Sequence, residues 1–406
     1  MRVVYDRFLE TGPVFLVLLG VGLFGCLSPV QPPTQSGCEP AFPYQQGWLG
    51  GDAAFSVPLD GRRSLWLFGD TFVGEPGQPS RRGARFIHNS IAISKCDDQG
   101  QWSIDYRWGA GSDGATAFFD RAEAGKWWWL FDGFSHDGAV YVGLLEVESS
   151  APRGPLAMPF GFTGVELARI SNPEEDPSAW QFERLRLSRS PLALPAGAMV
   201  VHGAHVYFFT FLDRQARSYP RILVRLPLTS LESGAVDLEP ALETLTTDGL
   251  WQPGFRPLAA RIIMQDDATE MSVHFLASAG VWLALYSYPS VGADFPEQRP
   301  SDRVWFRTAE SLSGPWSPRR SLFRIPELDP SRVAGFDPHT ACYAAKAHPQ
   351  LSARGSVSFT YVCNLFAGPE GDVEALLGRL VDDLGIYRPI PVSVALPSDL
   401  SGEARD

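Results

Sequence analysis

The sequence predicts an all-β protein, a five-bladed β-propeller. Three observations point there. Aromatic residues make up 12% of the chain, and 39 Gly with 34 Pro supply frequent turns, a combination that favours strands joined by tight connections. A strongly aromatic strand recurs five times, at residues 65–70 (LWLFGD), 127–132 (WWWLFD), 206–212 (VYFFTFL), 281–288 (VWLALYSY) and 357–364 (VSFTYVCN). The starts lie roughly 60 to 80 residues apart, which suits four-stranded blades with variable loops. A β-sandwich is the structural competitor, because strand spacing alone does not separate the two.

From the N-terminus, residues 1–26 read as a lipoprotein-type export signal. The apolar run 14–24 is too short to span a bilayer. It ends in Leu23-Phe24-Gly25-Cys26, which resembles the bacterial lipobox, with cleavage before Cys26 and lipidation of its thiol. A plain signal peptide, or a mis-chosen start codon, is the alternative, since Asp6 and Glu10 offset Arg2 and Arg7. Residues 27–41, with Pro29, Pro32 and Pro33, form an extended tether. The propeller is expected over 42–400, with a disordered tail at 401–406. This organisation places the protein outside the cytoplasm, in the periplasm or at the cell surface. Its one membrane contact is then the lipid anchor.

Within the domain, each aromatic strand has an expected inner strand before it, at 51–58, 115–120, 198–202, 271–277 and 343–350. Third strands follow at 89–95, 140–147, 222–227 and 304–308. Segment 371–383 fits a short helix or a last strand, and 387–396 closes the ring. With the Cys26 thiol taken up by lipidation, four cysteines remain in an oxidising compartment. Cys342 and Cys363 flank a hairpin and would face each other across it; that leaves Cys38 with Cys96. The alternative is four buried thiols.

The net charge is −12 and no Lys/Arg cluster stands out, which argues against a nucleic-acid partner. No Gly-rich phosphate loop, HExxH helix or CxxC pair is present. No cofactor and no metal ligand set is expected. Asp residues with Gly could hold a structural calcium ion in the funnel, as in some propellers, but their spacing does not show one. A monomer is expected.

The sharpest chemical signal is in the first hairpin. Gly50-Gly51-Asp52 and Gly69-Asp70-Thr71 flank Asp60-Gly61, a strong turn signal. Folding about Gly61 places Asp52 opposite Asp70, with Cβ atoms about 4.5–5.5 Å apart. Two such carboxyl groups repel when both are charged, so one stays protonated, which suits general acid beside nucleophile or base. Turn aspartates capping strand ends, or a calcium-like site, are the alternatives.

Residues 47–52 (GWLGGD) and 66–72 (WLFGDTF) resemble the opening of the family known as domain of unknown function 4185. So do 88–92 (HNSIA), 270–273 (EMSV), 311–316 (SLSGPW) and His348-Pro349. The similarity runs from Trp48 to Asn364. It implies an endo-D-arabinanase-like glycoside hydrolase of the furanosidase type, with a polysaccharide or oligosaccharide substrate and Asp52 and Asp70 as catalytic pair. A separation of about 5–5.5 Å between the carboxyls would make the reaction retaining. The rivals are a non-catalytic glycan-binding propeller at the cell surface and an exo-acting arabinofuranosidase- or fructosidase-like hydrolase.

Further candidates surround the pair. In furanosidase propellers the strand end occupied here by Glu270 faces the funnel, which implies an acid or a sugar-binding group. Arg85, His88 and Asn89 stand before a strand of the first blade and could bind hydroxyls or orient Asp70. Lys346 and His348 share one face of the fifth inner strand by alternation, and His202 lies on the third. Asp132, in Phe131-Asp132-Gly133, is the expected second-blade counterpart of Asp70, with a turn role as the alternative. Trp48 could stack on a sugar ring or pack in the core.

Overall fold

The computed structural model describes residues 38–150, 160–212, 219–265, 268, 270–288, 302–334, 336–366 and 373–401. The export signal, Cys26, all but the last residues of the tether and tail residues 402–406 lie outside the described residues.

The chain folds as successive antiparallel sheets. The first holds β1 (Trp48–Pro58), β2 (Arg63–Val73), β3 (Arg85–Ile87), β4 (Ser90–Cys96) and β5 (Trp102–Arg107). A two-stranded ribbon follows, β6 (Gly109–Gly111) and β7 (Gly114–Thr116). The second sheet is β8 (Lys126–His136), β9 (Ala139–Ser149), β10 (Phe160–Ile170) and β11 (Phe182–Ser188). The third contains β12 (Ala193–Leu194), β13 (Met199–His202), β14 (His205–Leu212), β15 (Arg221–Pro227), β16 (Glu243–Leu245), β17 (Trp251–Pro253) and β18 (Ile262–Met264). The fourth is β19 (Ser272–Leu276), β20 (Val281–Ser287), β21 (Arg303–Ala309) and β22 (Arg320–Arg324). The last has three strands, β23 (Thr340–Ala347), β24 (Ser356–Leu365) and β25 (Pro389–Ala395). Among the described residues one α-helix, α1 (Val373–Asp382), precedes β25.

The arrangement is propeller-like. One early strand of each sheet touches its counterpart in the next: β1 meets β8, β8 meets β13, β13 meets β19 and β19 meets β23. β23 in turn meets β1. Among the described residues four full blades are present, each with at least four strands, where the sequence predicts five; the last sheet has three strands there.

Alternation in the aromatic strands explains how the sheets stack. In β2, Leu65, Trp66, Leu67 and Phe68 are all fully buried, because both faces of this strand are covered. Fully burying each such side chain contributes about 1.5–3 kcal/mol. In β8, Trp128 points into the core while Trp127 and Trp129 stay half-buried on the other face, as the two-residue period requires.

Two expectations change here. Residues 115–120 are not the inner strand of the second sheet; Gly114–Thr116 belongs to the side ribbon, and the aromatic strand β8 is itself innermost. Segment 371–383, readable as helix or strand, forms helix α1 over its described part. Both cysteine pairs form as expected, Cys38–Cys96 and Cys342–Cys363, with Cα atoms 5.9 and 4.0 Å apart.

Candidate active site

Three inner strands are bulged at their inward-facing positions. In β1 the register with β2 shifts between Gly51↔Thr71 and Ala53↔Phe68, so Asp52 stands against Gly69 and Asp70. Ala53 and Ala54 take left-handed φ values of 65° and 60°. In β8 the register slips between Leu130 and Gly133, at Asp132. In β23 it slips between Tyr343 and Lys346, where Ala344 has φ 60°. Bulges re-aim side chains and gather near functional sites; here they turn Asp52, Asp132, Tyr343 and Lys346 towards one another.

Asp52 accepts a hydrogen bond from the Tyr343 hydroxyl at 2.8 Å. Its other oxygen lies over Gly69, where a Cβ would come within 2.5 Å of Oδ1; a side chain there would displace the Asp52 carboxyl. Burial, then the charges of Asp70 and Glu270, push the Asp52 carboxyl up to about 8. Asp70 sits in a different setting. Its Oδ1 accepts the indole N–H of Trp129 at 2.8 Å and lies 3.0 Å from His88 Nδ1. His88 in turn stacks on Trp127, with ring centroids 4.4 Å apart.

Glu270 and Lys346 form an ion pair. Lys346 is buried and lies over the Phe55 ring, 4.2 Å from its centroid. Burial lowers its pKa, against the raising effect of Glu270, Asp52 and Asp132. Asp132 accepts main-chain N–H bonds from Met199 at 2.8 Å and Gly133 at 2.9 Å, and burial raises it to about 7. One ammonium thus sits among three carboxyl groups. Among the described residues, no group of three or more His, Cys, Asp or Glu side chains is placed to hold a metal ion.

Asp52, Asp70, Glu270, Lys346, His88 and Asp132 are thus gathered into one region. Asp132 gets there as the second-sheet counterpart of Asp52, since β8 is the inner strand, and not as the counterpart of Asp70. Other candidates lie elsewhere. Asn89 is fully buried and spends its amide on the main chain of Phe119 and Trp128, tying the first sheet to the second. His348 lies beyond the end of β23, where alternation no longer governs it. Its ring is buried between Ser56 Oγ at 2.6 Å and Thr360 Oγ1 at 2.9 Å. Trp48 is fully buried and stacked on Tyr106 at 4.3 Å. His202 ends β13, paired with His205 beside the hairpin turn, with its ring against Trp282. Arg85 is exposed, its guanidinium passing over Gly114 of the ribbon.

Sequence reasoning missed Tyr343, Trp129 and Tyr387, whose hydroxyl donates to the main-chain carbonyl of Asp70 at 3.1 Å. Alternation offered a signal for Trp129, which shares a strand face with Trp127. The partners of Tyr343 and Tyr387 are roughly 290 to 320 residues away, and no local pattern carries such a contact.

A family model described as a domain of unknown function (DUF5005) matches residues 41–225. It is a different family from the one the motifs resemble, and membership of the latter is not borne out. No curated protein matches the chain. Among solved structures, a provisionally named hydrolase from Bacteroides ovatus ATCC 8483 superposes with a TM-score of 0.61 at 16% identity, over 86% of each chain. That likeness is one of fold. A GH43_1 enzyme from Xanthomonas citri complexed with xylotriose gives 0.45 at 13% identity, over 89% of this chain and 91% of that one. An endo-arabinase from Bacteroides thetaiotaomicron VPI-5482 gives 0.43 at 13%, over 88% and 99%. These two superpose too loosely to bear on function.

Proposed function

We propose that this protein is a glycoside hydrolase acting on a furanoside-containing polysaccharide, endo-D-arabinanase-like, with Asp52 and Asp70 as its catalytic carboxyl pair. One observation carries the reading: two neighbouring carboxyl groups have opposite surroundings. Asp52, pushed up to about 8, holds a proton at neutral pH and suits a general acid. Asp70 takes the role of nucleophile or base, its Oδ1 held by the Trp129 N–H and facing the His88 nitrogen. Glu270 and Lys346 fix the charge beside the acid, and Asp132 and His88 supply polar contacts for sugar hydroxyls. We further read the three-stranded last sheet as a short fifth blade, since β23 joins β19 to β1. The lipobox reading then tethers the domain outside the cytoplasm, as a monomer.

The test is hydrolysis of an arabinan and arabinogalactan panel by the purified domain and its Asp52→Asn and Asp70→Asn variants. Each substitution is expected to lower turnover at least a hundredfold, the scale of acid–base catalysis. Unchanged hydrolysis in both variants would falsify the assignment. Polysaccharide binding that survives in both, with no sugar released by the wild type, would support the glycan-binding alternative instead.

A further inference from the structure

The C-terminal segment does more than close the molecule. Gly69 and Asp70 fall outside the paired registers of β2 with β1, β3 and β4, at the bulge. Side-chain hydroxyls reach the main-chain carbonyls of both residues. The Gly69 carbonyl accepts from Thr71 Oγ1 at 2.8 Å, and the Asp70 carbonyl accepts from the Tyr387 hydroxyl at 3.1 Å. Tyr387 is buried at 4% exposure and has φ 59°, a left-handed conformation costly for an aromatic residue. Strain of this kind persists only where the surroundings over-determine it.

The surroundings do so. Arg81 is 2% exposed and spends its guanidinium on the carbonyls of Leu49, Leu380, Asp383 and Ile386, at 2.6–2.7 Å. The Tyr44 hydroxyl lies against the carbonyls of Leu384 and Ile386. The Tyr387 N–H donates to Cys363 O at 2.9 Å, and its ring meets Phe72 edge-on at 5.6 Å. Gly50 has φ 117°, and a Cβ there would lie 2.1 Å from the Tyr387 carbonyl, so the glycine makes room for this segment. Arg81 thus clamps the chain just before a strained tyrosine, and the tyrosine reaches the main chain of a candidate catalytic residue.

We infer that Tyr387 is a positioning residue for Asp70, presented by residues 384–387 under the Arg81 clamp. This rests on the hydrolase reading of Asp70. The test is Tyr387→Phe, which removes only the hydroxyl, with near-ultraviolet circular dichroism as the check on packing. The His88 ring faces Asp70 Oδ1, so its proton resonances at fixed pH, assigned by their loss in His88→Gln, report on Asp70 without any substrate. Tyr387→Phe is expected to shift the His88 resonances and to lower kcat roughly tenfold with KM within about twofold. An unmoved His88 signal, or an unchanged kcat, overturns the inference. Asp70→Asn run in parallel separates the two claims: full activity in that variant removes Asp70 from the catalytic pair and leaves the His88 signal to decide the positioning.

Discussion

Asp52 makes the pH dependence of activity specific. A general acid must start protonated, and its carboxyl is raised to about 8. Activity is therefore expected to fall as pH rises through about 8, read as kcat/KM against pH. Lys346 lowers the Asp52 value from its place beside Glu270. Lys346→Met should move the alkaline limb upward and, by leaving Glu270 without its buried partner, cost about 3 kcal/mol or more of stability. Chemical denaturation at pH 7 measures the second effect, and a limb that stays in place sinks the first. At this scale the sequence was informative about residue type and poor about surroundings. Asp52 and Asp70 stood out by the glycines around them. Asn89 and His348 carried the same polar signal, yet they are satisfied inside the core by partners the chain order hides.

Among the elements, the bulged hairpins matter most. The Cys342–Cys363 bridge spans β23 and β24 next to Tyr343, the donor to Asp52. Replacing both cysteines by serine is expected to cost about 2–4 kcal/mol, seen as a lower thermal midpoint, and to reduce turnover by freeing the bulge. Retained turnover at a temperature where the variant is fully folded would separate bracing from stability. Gly50→Ala should be poorly tolerated, since it combines a φ of 117° with a clash against Tyr387; Gly138→Ala, at φ 73° with nothing within 4 Å, serves as the comparison with backbone strain alone. The aromatic strands were legible from composition and turns. The frame of the second sheet was not, because an inner and a second strand share the same two-residue pattern and differ only in what covers them.

For the molecule as a whole, the buried acids link stability to pH. The folded-state values of Asp52 and Asp132 are raised, to about 8 and about 7, from 3.8 in the unfolded chain. Between those limits the folded state holds more protons, so their contribution to stability declines as pH rises from about 4 to 8. His348 and His274, lowered by burial to about 3 and about 4, act oppositely: stability is lost as pH falls below about 6.5. The difference between wild type and Asp52→Asn isolates the acid, and the wild type should lose more stability than the variant between pH 5 and 8.5 in denaturant titrations. The two disulfides suggest an extracellular or periplasmic setting, and no described helix is long and apolar enough to cross a membrane.

The sequence by itself determined the all-β class, the recurrent aromatic strands, the Cys342–Cys363 pairing and the first acidic hairpin, because each rests on contacts between residues near in the chain or on alternation along a strand; Cys38–Cys96 followed only by elimination. Tertiary structure alone decided which strand of each sheet lies innermost, that Asp132 joins the Asp52 side, and that Tyr343, Lys346 and Tyr387 return from the C-terminal third to the first sheet. Closing a ring brings the two ends of the chain together, and the bulges that aim these side chains inward break the very periodicity from which a sequence is read.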